Sequence, residues 1–303
     1  MAILIDLSQV VLGACYAFKD DLSTHKTQED RNQAINLVRH VILSQLKYYN
    51  TKYKQQYGKL IVCCDGRNYW RKKIFPLYKA NRKGMRSKID LDWNLIFDTI
   101  NKTIDDLHEN FLFPVIRVDY AESDDIIATL TKYFQDHEVV EGPMFDSKQE
   151  ILIVSSDKDF VQLHVYDNVK QISPVTKRFV SDPDPALYLQ KKVLGGDKGD
   201  NIANVLSDDD VFNNPEKKSA KMTQKRVTAL LETGYDNCQD ERIKKNWYRN
   251  KVLIDFAYIP EKISNRIIET YQQPIQGSKQ KIFDYLIKHQ CNLLLNDINA
   301  YVN

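Results

Sequence analysis

The 303-residue chain has no pair of cysteines at CxxC spacing, no cluster of histidines and no long apolar run. Its five cysteines, Cys15, Cys63, Cys64, Cys238 and Cys291, are odd in number and scattered. That pattern argues against a zinc knuckle or a disulfide framework and fits a reducing compartment. The six histidines stand apart, so neither a histidine-ligated metal nor a histidine-activated nucleophile is expected. No stretch approaches the ~18 apolar residues that cross a bilayer. The opening MAILID lacks the charged segment of a secretion signal. A soluble, intracellular protein is expected. Glycine and proline are few, at 10 and 9 residues, so widespread disorder is not expected either. The net charge of +2 is too small to name a partner.

What is present is alternation. Short apolar runs at 2–5, 59–64, 113–118 and 151–154 read as buried strands. Between them, Ala34, Leu37, Val38, Val41, Ile42 and Leu46 recur at helical spacing, as do Trp93, Ile96, Ile100, Ile104 and Leu107. Strand and helix in turn imply an α/β fold with a mostly parallel sheet flanked by helices, over residues 1–185. Residues 186–303 carry helical patterns and few strand-like runs, and read as a helical lobe. The polar stretch 205–221 reads as a loop.

The acids fall where the strands end. Asp6 closes the first and Asp65 the second; Glu122 and Asp124 follow the third, and Asp157 and Asp159 the fourth. In an open parallel sheet, ligands bind at the carboxyl ends of the strands. Side by side, these acids would share one crevice, where like charges repel unless cations join them. An all-oxygen set suits Mg²⁺ or Mn²⁺, and six or more carboxylates suit two ions rather than one. For any one acid, a helix cap or a solvated loop is the better reading. Four consecutive strand ends carrying acids favour a metal site.

The segment 66–88, GRNYWRKKIFPLYKANRKGMRSK, holds nine basic residues and no acidic one. Taking these nine charges from the net +2 leaves −7 for the rest. Tyr69, Trp70, Phe75 and Tyr78 are interleaved with the cations. Phosphate contacts with aromatic stacking are the composition of a nucleic-acid interface. Against this stands a solvated basic helix whose aromatic residues merely pack.

LIDLSQV, CCDGRNYWRKKIFPLYKANR, AESDDIIATL, VSSDKDFVQL and GGDKGDNIANV, in this order, resemble the motifs of the flap endonuclease and 5′→3′ exonuclease superfamily, whose core is of the PIN type. The likeness is greatest to its phage ribonuclease H branch and extends to KVLIDFAYIP at 251–260. The resemblance implies a metal-dependent 5′-nuclease acting on DNA and RNA–DNA hybrids and removing RNA primers in replication, in the cytoplasm, or a host's cytoplasm for a virus. It implies two Mg²⁺, replaceable by Mn²⁺, held by Asp6, Asp65, Glu122, Asp124, Asp157, Asp159, Asp197 and Asp200. Lys79 and Arg86 would grip the scissile phosphate and act in catalysis with Asp124 and Asp157. Arg71, Lys72, Tyr78, Arg82, Lys83, Lys198, Lys221 and Lys225 are the further candidate nucleic-acid contacts. Residues 84–105, within the basic region 66–105, would form an arch over a free 5′ strand. Residues 191–233 would hold a helix–turn–helix on the duplex.

The sequence also departs from cellular relatives. NIANVLSDDDVFNNPEKKSAKMTQKR follows the GDKGD motif without their Gly-rich turn, which binds duplex phosphates with a monovalent ion. The chain starts five residues before Asp6, so no N-terminal arm is expected. A single-strand-binding protein or a sliding clamp fits as partner, with a monomer as the default. The rival is a non-cleaving module of the same fold that only binds branched DNA, which the full set of acids disfavours.

Overall fold

The computed structural model describes residues 1–137, 139–140 and 147–303. Six strands form one sheet: β1 Ala2–Asp6, β2 Lys59–Cys64, β3 Val115–Arg117, β6 Ile151–Val154, β7 Val169–Ile172 and β8 Phe179–Val180. A separate antiparallel pair, β4 Val139–Val140 and β5 Ser147–Lys148, lies outside it. The order is β3-β2-β1-β6-β7-β8, parallel except for β8. The four expected strands are therefore neighbours. β7 and β8 escaped the sequence reading because VKQI and FV are too short and too polar to show as apolar runs.

The chain winds outward from β1 through β2 to β3, then returns to lay β6 on the other side of β1. Strand order thus reverses between β1 and β6. In such sheets the loops there diverge to opposite faces and leave a crevice. Asp6 and Asp157 follow the two strands that flank it.

Helices cover both faces. One face buries α1 (Leu7–Ala17), the long α2 (Gln28–Tyr57) and α5 (Trp93–Asn110). α2 begins in a capping box between Thr27 and Asp30, which satisfies backbone donors at its start. The other face buries α6 (Ser123–His137) and Ile267 of α10 (Glu261–Tyr271). A third apolar cluster joins Phe75 and Tyr78 to α7 (Pro185–Gly195), α8 (Gln224–Thr233) and α9 (Glu241–Ile254).

The helical region after residue 185 is spread over these places. α7–α9 stand at the active edge and α10 lies beneath the sheet. α11 (Lys279–Lys288) and the 3₁₀ segment Asn292–Tyr301 fill the α2 face. The basic segment forms two short helices, α3 (Trp70–Ile74) and α4 (Asn81–Arg86). The stretch 84–105 comprises the end of α4, a short link and most of α5. α7 and α8 are joined by the irregular stretch 196–223 rather than by a tight turn.

Candidate active site

Each acid is placed by its local sequence. Asp6 and Asp65 stand at the carboxyl ends of β1 and β2. The turn after Asp65 needs Gly66, because a side chain there would run into the Val118 carbonyl, 1.9 Å from where its Cβ would lie. Asp124 sits in the first turn of α6, and Asp157 caps the 3₁₀ helix Lys158–Val165. Asp197 and Asp200 come from the GDKGDN turn after α7. Asn201 there adopts left-handed backbone (φ 62°) and ties the turn to the basic segment by donating to the Leu77 carbonyl at 2.9 Å. The Lys79 amide reaches back to the Asp200 carbonyl, also at 2.9 Å.

The eight acids fall into two sets. In the outer set, every carboxylate has a cationic partner. Glu122 takes Arg71 at 2.9 Å and Lys79; Asp200 takes Arg82 at 2.7 Å and Lys79 at 3.7 Å. Tyr78 donates its hydroxyl to both acids, at 2.9 and 3.0 Å. Asp159 and Asp197 share Lys192. In the inner set, Asp6, Asp65, Asp124 and Asp157, no carboxylate has an ion-pair partner among the described residues. Asp6 accepts from the Ser123 and Ser155 hydroxyls at 3.2 and 3.0 Å. Asp65 accepts from the Ser8 hydroxyl at 2.7 Å and the Ser123 amide at 2.9 Å. Asp157 accepts only the Asp159 amide, and Asp124 accepts no hydrogen bond among the described residues.

This leaves negative charge crowded where water is scarce. Burial, then the Asp65 charge, pushes the Asp6 carboxyl up to about 7. Burial and the Asp157 charge raise Asp124 well above the usual range. Burial also raises Asp157, although Lys192 opposes it. Burial works on Asp200 in the same direction, but Lys79 and Arg82 outweigh it and hold that carboxyl low.

Among the described residues, no three acidic, histidine or cysteine side chains are already gathered around one point. The inner acids line the crevice rather than form a finished cage. That suits a hydrated hard cation such as Mg²⁺, which keeps several waters and takes one or two carboxylates directly.

Two expected nucleic-acid contacts are corrected by burial. Arg71 is 3% exposed, pairs with Glu122 and with Asp125 at 2.8 Å, and donates to the Leu253 carbonyl at 2.8 Å. Tyr78 is likewise buried, with its hydroxyl spent on Glu122 and Asp200. Both hold acids in place and reach no strand outside. Trp70 and Phe75 are buried too, as the packing alternative had it. Lys72, Lys83, Lys198, Lys221 and Lys225 are exposed. Arg86 lies over the Phe97 and Trp93 rings, at 4.7 and 5.5 Å from their centroids, and forms no ion pair among the described residues.

The sequence reading missed Ser8, Ser123, Ser155, Asp125 and Lys192. The first four stand within two residues of a motif acid, and that adjacency was the available signal. Lys192 had none, because its place depends on how α7 packs on the 3₁₀ helix. Three carbonyls of the turn after GDKGDN are taken by side chains of α9. Ala203 accepts from Asn250 at 2.9 Å and Arg249 at 3.0 Å; Val205 and Ser207 accept from Asn246 at 3.1 and 2.9 Å.

Known proteins resemble this chain in sequence and in fold. A family model for the N-terminal, resolvase-like domain of 5′-3′ exonucleases matches residues 1–193, and one for the C-terminal part of T4 RNase H matches 184–301. Ribonuclease H of Enterobacteria phage T4 is 33% identical, over 98% of this chain and 95% of its own length. The flap endonuclease Xni of Shewanella denitrificans is 26% identical, over 73% of this chain and 80% of its own. A solved structure of T5 5′-exonuclease with divalent metal ions (zinc) bound shares the fold, with a TM-score of 0.60 at 17% identity, over 90% of this chain and all of that one. Family models from one end to the other and a relative identical at a third of its positions leave one conclusion: the chain belongs to the 5′-3′ exonuclease family of nucleases.

Proposed function

We propose that the chain is a Mg²⁺-dependent 5′→3′ exonuclease and flap endonuclease. Its substrates are RNA–DNA hybrids and nicked or flapped DNA near their 5′ ends, and its role is the removal of RNA primers in replication. The observation that carries this reading is the inner set of four acids, Asp6 buried and the other three partly buried, with no ion-pair partner among the described residues, at the switch point of the sheet. Exposed cations of the basic segment stand beside it. The ribonuclease H and flap endonuclease names of the relatives support the substrate class.

Asp65, Asp124 and Asp157 are the direct ligands in this reading, with Asp6 and Glu122 beside them. Asp159, Asp197 and Asp200 hold a second ion or its waters. Such ions polarise a scissile phosphate and supply hydroxide at neutral pH. The chain's own groups do the rest. Lys79 and Arg86 stabilise charge on the phosphate in the transition state. Lys79 reaches it by leaving Glu122. Lys72, Arg82, Lys83, Lys198, Lys221 and Lys225 hold backbone phosphates and fix the register of the strand. Ser8, Ser123 and Ser155 orient Asp6 and Asp65.

The protein works as a nuclease core, 1–185, with a duplex-gripping helical part, 186–303, and as a monomer. A single-strand-binding protein or a sliding clamp is its partner at the replication fork. Arg249, Asn246 and Asn250 fill the role that a monovalent ion plays in cellular relatives.

The test is cleavage of a 5′-labelled flap duplex and of an RNA–DNA hybrid with Mg²⁺ and with EDTA. Short 5′ products that appear only with Mg²⁺ are expected from both. Tight binding without cleavage under Mg²⁺ or Mn²⁺ would overturn the reading.

A further inference from the structure

One lysine stands between two acids that have no other cationic partner among the described residues. The Lys192 ammonium lies 3.0 Å from Asp197 Oδ2 and in contact with Asp159 Oδ1. The two acids come from different elements, the 3₁₀ helix after β6 and the GDKGDN turn, and the ammonium is what joins them. All three side chains are largely buried: Lys192 is 15% exposed, Asp159 16% and Asp197 24%. Neither acid has another cationic partner among the described residues.

Lys79 bridges Glu122 and Asp200 in a similar way, but those acids keep Arg71, Arg82 and the Tyr78 hydroxyl if it leaves. Asp159 and Asp197 would keep no cation at all. A departing Lys192 must therefore be replaced by another positive charge, since two buried carboxylates left facing each other repel.

We propose that Lys192 is a built-in counter-ion, which holds Asp159 and Asp197 together in the metal-free protein and is displaced when the more weakly bound divalent ion enters between them. This rests on the reading that the acids of the crevice hold divalent ions. The lysine has two opposite effects on that ion. It holds the acids close together, and so prepares the site. It also competes, because every ion bound there must first evict the ammonium. An internal competitor lowers the apparent affinity by the fraction of time that it holds the site. The weaker ion would then bind only when its concentration or an arriving phosphate tips the balance.

The experiment is Mn²⁺ binding by calorimetry, with electron paramagnetic resonance to count free ion, on the full chain and on Lys192→Met. Methionine keeps the apolar stem and removes the charge. The wild-type protein should show two affinities. In K192M the weaker one should tighten by about tenfold, the middle of the range for coupled sites. In Lys192→Arg, which keeps the charge, it should not tighten. Metal-free K192M should melt below the wild-type protein, and saturating Mn²⁺ should erase the difference. A merely structural lysine would leave the deficit in both states.

Two Mn²⁺ bound to the wild-type protein with the weaker affinity unchanged or weaker in K192M, or a melting deficit that persists at saturation, would overturn the inference alone. No Mn²⁺ bound to the wild-type protein would overturn the parent reading and this one with it. Lys192→Gln repeats the test should K192M not fold.

Discussion

Arg71 and Glu122 form an ion pair of 2.9 Å in which the side chains are 3% and 1% exposed. Asp125 and the Leu253 carbonyl complete the arginine's shell. A buried pair of this kind fixes geometry more than it adds stability, yet breaking it on one side is costly. Arg71→Met should lower the stability in urea by about 3–5 kcal/mol. Lys83→Ala, on the exposed side of the same basic segment, should stay within about 0.5 kcal/mol. Equal effects from the two would show that the arginine is not buried in solution.

The same segment separates its residues on nucleic acid. Lys83→Ala and Lys72→Ala should each weaken duplex binding and reduce the salt slope of the binding constant by about 0.9 for each phosphate no longer neutralised. The slope is read from affinities between about 50 and 200 mM salt, where binding of this kind weakens steeply. An unchanged slope would assign these lysines to a solvated face.

Asp124 and Asp157 carry the opposite kind of prediction. Asp157→Asn should reduce cleavage on the order of 10²-fold or more while sparing DNA binding. Asp124→Asn removes a partly buried negative charge that accepts no hydrogen bond among the described residues. It should lose cleavage to a similar degree and yet raise the metal-free melting temperature by a few degrees, about 1 kcal/mol. Cleavage preserved in Asp157→Asn would remove that residue from the site.

Acidity gives a further test. Asp6 loses its proton at about 7 in the folded chain, against an ordinary 3.8. Between those values the folded state holds more protons than the unfolded one, so stability falls as pH rises. Asp124 and Asp157, raised in the same direction, add to the fall. The metal-free protein should therefore melt lower at pH 8 than at pH 6, and saturating Mg²⁺ should raise the melting temperature more at pH 8. The check is a thermal melt at both pH values with and without the ion; a Mg²⁺ effect independent of pH would contradict it.

The turn at 203–207 makes the last prediction. Its Ala203, Val205 and Ser207 carbonyls are occupied by Asn246, Arg249 and Asn250. Replacing K⁺ by tetramethylammonium at constant ionic strength should leave duplex affinity unchanged. Arg249→Met should weaken it. A clear K⁺ requirement in the unaltered protein would contradict this arrangement.

Much of this was legible in the sequence. Buried parallel strands such as AILI and ILIV declare themselves because both of their faces meet helices and every position is apolar. The strand-end acids followed from the same reading, since parallel strands send their carboxyl ends to one edge. What could not be read is pairing. Nothing in RNYWRKK says that Arg71 turns inward while Lys72 and Lys73 turn out, because a short helix with one buried face looks uniformly basic. Which acids keep a cation and which do not is also a fact of three dimensions. Lys192 reaches Asp159 across 33 positions of sequence.

The α2 face has a consequence for how the protein is made. Asn50 donates to the Ala300 carbonyl, and the Tyr301 hydroxyl donates to the Leu43 carbonyl, partners some 250 positions apart. Tyr301 is fully enclosed in the apolar cluster that α2 helps to form. A nascent chain makes α2 early, and the part of its apolar face that the C-terminal segment covers stays open until residue 300 has been added. Domains elsewhere tend to fold in order of emergence, and contacts this distant slow folding. Here synthesis itself withholds the last cover of the α2 face, so a half-made chain carries Asp6, Asp65, Glu122 and Asp124 without the other four acids or the segment that closes the core.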